Sequence, residues 1–147
     1  MSFSHNDVQT GQWATFHIGG EQFALPVEEV QEVLLKQPLT PVPLAPSEIL
    51  GLLNLRGAIM PAIDLRRRLG FPDGDAKEQK LLVLRGAEGP VSVVVDDIGD
   101  VFELEGKGWR PVPDTLESNH RSFVFGVFPM EGQVLLGLKV DVICADQ

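Results

Sequence analysis

Acid–base or metal chemistry in this chain would have to come from a small set of residues. The strongest acid pairs are Glu28 with Glu29 and Asp96 with Asp97. Adjacent side chains do not by default face one cavity, and glycosidic cleavage needs two carboxyl groups converging from opposite sides of a sugar. Each pair follows a short strand-like run, which suits capping or turning. The imidazoles are His5, His17 and His120, none with a second His or Cys at metal-ligand spacing. Acid pairs alone hold hard cations weakly. Ser47, Ser92, Ser118 and Ser122 lack the setting of a nucleophile elbow. Gly19-Gly20 and Gly106-Lys107-Gly108 lack the long glycine loop and following Lys-Ser or Lys-Thr that cradle a nucleotide's phosphates. Cys144 is the only cysteine, which excludes an internal disulfide and suits a reducing compartment. With no basic neighbour it reads as a small buried apolar group rather than a nucleophile. No enzyme activity, catalytic group, cofactor or metal is therefore expected.

Charge narrows the partners. The net charge of -9 opposes nonspecific attraction to nucleic acid or anionic lipid. It is unevenly spread: residues 1–50 hold one Lys and six acids, 51–85 hold seven Lys or Arg against four acids, and 86–147 hold four against eleven. A locally basic middle in an acidic protein suits orientation against a protein surface, or simply solubility. Arg66, Arg67 and Arg68 stand consecutively on a short predicted helix, so they point in different directions. A solvated face or partner contacts account for them more simply than RNA does. Apolar runs fall far short of the roughly 20 residues that cross a bilayer, and the first residues carry no export signal. A cytoplasmic protein without direct membrane insertion is expected.

The elements that must position these residues are mostly strands. Residues 13–18 and 22–25 read as a hairpin around Gly19 and Gly20. Residues 27–35 suggest a brief turn followed by a strand, since the valines and Pro38 disfavour a helix. Pro38, Pro41, Pro43 and Pro46 exclude regular helix and central strand, with one helical turn over 46–50. Residues 57–60 and 62–63 look extended around Pro61, which requires an edge position or an unpaired backbone site. Asp64 can cap a short helix carrying Leu65 and Leu69, ended by Gly70. Residues 71–78 form a polar turn tolerant of insertion. Strands follow at 80–85, 91–95 and 98–104, with a hairpin turn over 86–90. Residues 109–121 are irregular, and the last strands lie at 123–128 and 134–140. Residues 142–147 are too few for a substantial terminal helix.

Residues 23–34 echo residues 91–102: a strand, paired acids, an apolar residue, an acid, then two apolar residues. Two similar small β modules joined by a crossover segment are thus expected within one domain over 12–143, with 1–11 a flexible N-terminus. Many short strands with Gly-rich and Pro-rich turns point to barrels.

Asn54-Leu55-Arg56-Gly57, followed by Pro61 and then Asp64-Leu65-Arg66, resembles the signature of the CheW family of bacterial chemotaxis coupling proteins. Residues 30–33 and 93–101 also resemble that family, and the likeness covers nearly all of residues 12–143. It implies an all-β fold of two intertwined five-stranded SH3-like barrels with short connecting helices. It also implies a non-catalytic adaptor joining a methyl-accepting chemoreceptor's cytoplasmic tip to the regulatory domain of a CheA-type histidine kinase, in membrane-associated receptor arrays. A related adaptor of a pilus, twitching-motility or other chemosensory kinase system is the alternative. Partner-binding positions carried over are Val30, Glu32, Arg56 and Gly57. Arg56, set among apolar residues, must reach solvent, an acidic partner or an internal carboxylate. Leu55, Ile59 and Ile63 can be core or groove.

Overall fold

A computed structural model describes residues 5–72, 79–116 and 118–144. Among these residues ten strands dominate the fold. The first hairpin pairs β1 (Gly11–Ile18) with β2 (Glu21–Pro26). Its turn uses Gly19 and Gly20 at φ of 58° and 86°, a left-handed backbone that glycine adopts without a Cβ clash. A 3₁₀ turn over Val27–Glu29 leads into β3 (Val30–Leu35), as the valine-rich pattern predicted. After the proline-rich segment come β4 (Ile49–Leu55), β5 (Ala58–Asp64) and the one-turn helix α1 (Leu65–Arg68). The second half repeats the plan with β6 (Lys80–Gly86), β7 (Gly89–Val95), β8 (Asp97–Leu104), α2 (Ser118–Arg121), β9 (Val124–Met130), β10 (Gln133–Leu138) and α3 (Val140–Ile143).

Two five-stranded sheets result, ordered β8-β1-β2-β10-β9 and β3-β6-β7-β5-β4. Adding five to each strand number of the first, and wrapping past ten, gives the second. Each half of the chain thus builds a hairpin in one sheet and then crosses to supply three strands to the other. The repeated 23–34 and 91–102 segments are those crossings, which is why the echo carries a strand, acids and a second strand. The equivalence extends further: Thr40-Pro41-Val42-Pro43 and Arg110-Pro111-Val112-Pro113 each place their first residue beside an edge strand, Thr40 bridging Leu52 and Arg110 bridging Val127.

Packing explains the intertwining. All five strands of the first sheet, together with Trp109, contribute to a core of Trp13, Ala24, Leu104, Phe125 and Leu135 with Phe102 against it. The sheet must curl for all of them to meet, and it forms an SH3-like module, module A. Leu53, Met60, Leu81, Val83 and Val94, with Leu34 against them, do the same for module B. Residues of opposite parity, including Phe16, Phe23, Leu82, Leu84, Val93, Val95, Leu136 and Leu138, form the larger core shared by the two modules. Successive strand side chains point to opposite faces, so β2, β6 and β7 are buried on both.

Several local expectations need adjustment. Pro61 lies on an interior strand, at an unpaired backbone site. Leu52 exchanges hydrogen bonds with Thr40 (2.8 and 2.9 Å), so the Leu52–Pro61 pair turns its polar groups away from each other. The Pro61 nitrogen therefore faces the β7 side just before that pairing begins at Ala62, and its carbonyl accepts from the Ser92 hydroxyl (2.9 Å). The turn expected over 46–50 is one bond, Ile49 N–H to the Pro46 carbonyl (2.9 Å), because Ile49 already belongs to β4. The last strand stops at Leu138, and Val140 starts α3 instead. Of the stretch expected to be flexible, residues 1–4 lie outside the described residues. Val8 packs on the core of module A, and the Thr10 hydroxyl accepts from Gly106 N–H (2.9 Å). Most of the insertion-tolerant turn, 73–78, also lies outside the described residues, as do 145–147.

Candidate functional site

The signature segment folds as the β4–β5 hairpin. Its turn residues, Arg56 and Gly57, have φ of 51° and 86°. Two positive φ values match the twist of a tight hairpin, and Asn-Gly is the usual choice there. Arginine in the first position holds a conformation its Cβ disfavours. Asn54 steadies the turn by accepting from Gly57 N–H (3.2 Å).

Glu32 and Arg56, two carried-over positions 24 residues apart, meet. The guanidinium forks onto the carboxylate, Nη1 to Oε1 at 3.1 Å and Nη2 to Oε2 in a shorter ion pair. This hydrogen bonding holds the Glu32 carboxyl below the ordinary glutamate range and raises Arg56 further. The side chains remain 66% (Arg56) and 26% (Glu32) exposed. β3 and β4 are opposite edges of the sheet of module B, so the pair clasps the seam where the curled sheet meets itself. Of the uses open to Arg56, the fold shows an internal ion pair on a side chain that also reaches solvent.

The remaining positions separate. Val30 is half-buried against the shared core, opposite Leu84 on β6. A register shift follows it, after which β3 turns Gln31, Val33 and Leu35 outward. Val33 and Leu35 are 49% and 70% exposed, and Ile59 on β5 is 65% exposed. Ile63 is core and Leu55 packs on the core of module B. Val33 and Leu35 were thus missed as surface candidates, although the period-2 alternation from Gln31 to Leu35 carried the signal. An open groove of about 990 Å³ runs between the modules, lined by Trp13, Phe125 and Leu138 on one side and Ile59, Pro61 and Val91 on the other. Arg85, Lys139, Glu29 and Asp141 add charge to its lining.

Two of the three arginines of the basic tail turn inward. Asp64 caps α1, accepting from Arg66 and Arg67 N–H groups (3.1 and 3.4 Å). Arg66 pairs with Asp96 (2.6 Å), Arg67 donates to the Ser47 carbonyl (2.7 Å), and Arg68 donates to the Val142 carbonyl (3.2 Å) and pairs with Glu48. Arg66 and Arg68 therefore tie module B to the β7–β8 crossing and to α3, which corrects the solvated or partner-facing expectation for those two, while Arg67 stays exposed and donates within module B. The Asp96–Asp97 pair serves its crossing: Asp96 also accepts from Gly19 N–H (2.9 Å), and Asp97 from Ile98 N–H (2.8 Å). Burial pushes the Cys144 thiol up to about 11, so it stays protonated and a poor nucleophile. Among the described residues no three His, Cys, Asp or Glu gather as a metal site, and no helix is long and apolar enough to cross a membrane.

Known proteins resemble this chain in sequence and fold. The CheW-like domain pattern matches residues 12–147. The chemotaxis protein CheW of Rhizobium meliloti is 30% identical over 129 residues, covering 87% of this chain and 83% of its own. CheW of Helicobacter pylori is 29% identical over 133 residues (90% and 80%), and protein PilI of Pseudomonas aeruginosa 28% over 125 (84% and 70%). The fold is that of the scaffolding protein TtCheW from Thermoanaerobacter tengcongensis, with a TM-score of 0.84, 24% identity and 95% of both chains covered. Strand exchange, the Arg-Gly hairpin and this likeness agree, and the chain belongs to the CheW-like domain family.

Proposed function

We propose that this protein is a non-catalytic adaptor that couples the cytoplasmic tip of a chemoreceptor to the regulatory domain of a CheA-type histidine kinase. The observation that carries this reading is the Arg56–Glu32 clasp on an exposed turn, beside outward-facing Val33 and Leu35. Charge flanked by exposed apolar groups fits a protein surface, where apolar contacts supply affinity and charges set register. A receptor tip is a helical hairpin, and the apolar groove between the modules, bordered by Arg85 and Lys139, has the character such a helix needs. Val30, Glu32, Arg56 and Gly57 are the positions assigned to partner binding. Val30 acts from beneath the surface, Gly57 by allowing the turn. The protein works in the cytoplasm, recruited to receptor arrays. Phosphoryl transfer belongs to the kinase.

The test is binding of the full chain to its cognate kinase regulatory domain and receptor tip, alone and together. Arg56→Glu sets two acids against each other at the seam and is expected to impair coupling with little change in melting temperature, since exposed pairs add little to stability. Absence of binding to both partners by the parent chain overturns the reading. The likeness to PilI supports a second reading, an adaptor in a pilus-linked kinase system. Kinases and receptors retained in a pull-down from the source cell distinguish the two.

A further inference from the structure

Phe71, expected to open a polar turn, is instead a joint between the modules. It follows the glycine cap of α1, where Gly70 has φ of 86° and the N–H groups of Gly70 and Phe71 donate to the carbonyls of Arg67 (3.1 Å) and Arg66 (2.9 Å). From there the ring leaves module B and enters module A. It fills the space over Gly19, where a Cβ would lie 2.8 Å from the Phe71 Cδ1. It meets Phe23 edge-on (centroids 6.2 Å, 90°) and stacks on His120 (4.4 Å, 24°). The Arg66–Asp96 pair converges on the same turn, because Asp96 Oδ2 also holds Gly19 N–H and Asp96 N–H donates to the His17 carbonyl (3.1 Å).

The shared core alone would fix this orientation poorly, since apolar attraction has no direction. A flat ring in a slot that only glycine leaves open has direction, and so do charge-assisted hydrogen bonds. His120 adds to this. It is only 6% exposed, and its Nε2 finds no hydrogen-bond partner among the described residues. An unsatisfied buried nitrogen is unfavourable, so what His120 contributes here is the flat face on which Phe71 lies.

We propose that Phe71 is a positioning residue: seated on Gly19, Phe23 and His120, it locks α1 and the Arg56 hairpin of module B in one orientation relative to module A. This rests on the coupling function above and gives it a physical link, because a partner in the groove touches both modules and one at the Arg56 hairpin touches module B, so the orientation of the modules sets how the two surfaces face each other.

Two experiments on the full chain test it. Spin labels on cysteines introduced at Ala87 in module B and Glu131 in module A, in a chain whose Cys144 is replaced by Ala, report the distance between the modules without any partner. The parent should give one narrow distribution. Phe71→Met, which keeps apolar bulk but loses the flat ring, should broaden it, and His120→Phe should leave it narrow. An unchanged distribution in Phe71→Met overturns the proposal. With the cognate full-length kinase and receptor tip, Phe71→Met should bind each alone within about twofold of the parent, while receptor-dependent kinase activation falls by about tenfold, in the usual range of coupling energies. Activation retained in full, or single-partner affinities lost in step with activation, overturns it too. Failure of the parent chain to bind either partner instead sinks the coupling function and leaves the distance measurement to judge Phe71.

Discussion

In module B the turn between β4 and β5 carries Arg56 and Gly57; at the equivalent place in module A, between β9 and β10, stand Glu131 and Gly132. Glu32 on β3 corresponds to Asp100 on β8 by the internal echo. One module therefore clasps its seam with an ion pair, whereas the other sets two acids at the same positions and cannot. The proline-rich loops diverge as well. Val112 packs on the shared core, and Arg121 donates to the Pro113 carbonyl and pairs with Asp114. The counterpart Val42 is 38% exposed, and Leu44 stands wholly in solvent at φ of 63°. Backbone pairing and core parity are common to both halves, because they determine folding. Surface charge and loop packing differ, because there the fold is indifferent and recognition can act.

The comparison breaks hardest at the shared core. Phe23→Ala should cost about 3–5 kcal/mol and lower one melting transition for both modules, because Phe23 serves each. Leu53→Ala, in the core of module B alone, should cost about 2–5 kcal/mol. Calorimetry showing two separated transitions would refute a common core. Next comes Asp64→Ala: Asp64 is 7% exposed and caps α1, and loss of such a cap costs about 1 kcal/mol, readable in a urea titration. The smallest effect sharpens the contrast between the turns. Arg56→Asn relieves the left-handed backbone and should raise the melting temperature slightly while weakening partner binding; a drop in stability would show that the clasp outweighs the strain. In the parent, Glu32 is depressed below the ordinary 4.5 when folded, so the clasp contributes above that value and is lost as pH falls through the lowered one. Arg56→Asn should flatten that acid limb of the stability profile.

Much of the architecture was legible in local chemistry. Gly19-Gly20 marked the first hairpin, Asp64 and Gly70 bracketed α1, and repeated acids marked the crossings. The β4–β5 hairpin was harder, because arginine is not a turn former and only Gly57 hinted at a bend. Val30 is half-buried against the shared core while Val33 faces outward, because the two stand on opposite faces of β3. Arg66 and Arg68 looked solvent-bound because their acceptors, Asp96 and Val142, come from distant segments. Phe71 looked like part of a polar turn for the same reason.

By itself the sequence determined the period-2 strands, the turns, the helix cap and the duplicated plan, since each depends on the preferences of neighbouring residues. Only the tertiary structure decided that each half lends strands to the other, that Glu32 meets Arg56, and that Phe71 crosses between modules. Those contacts join residues far apart along the chain, and the closing of two curled sheets around a common core is what selects them.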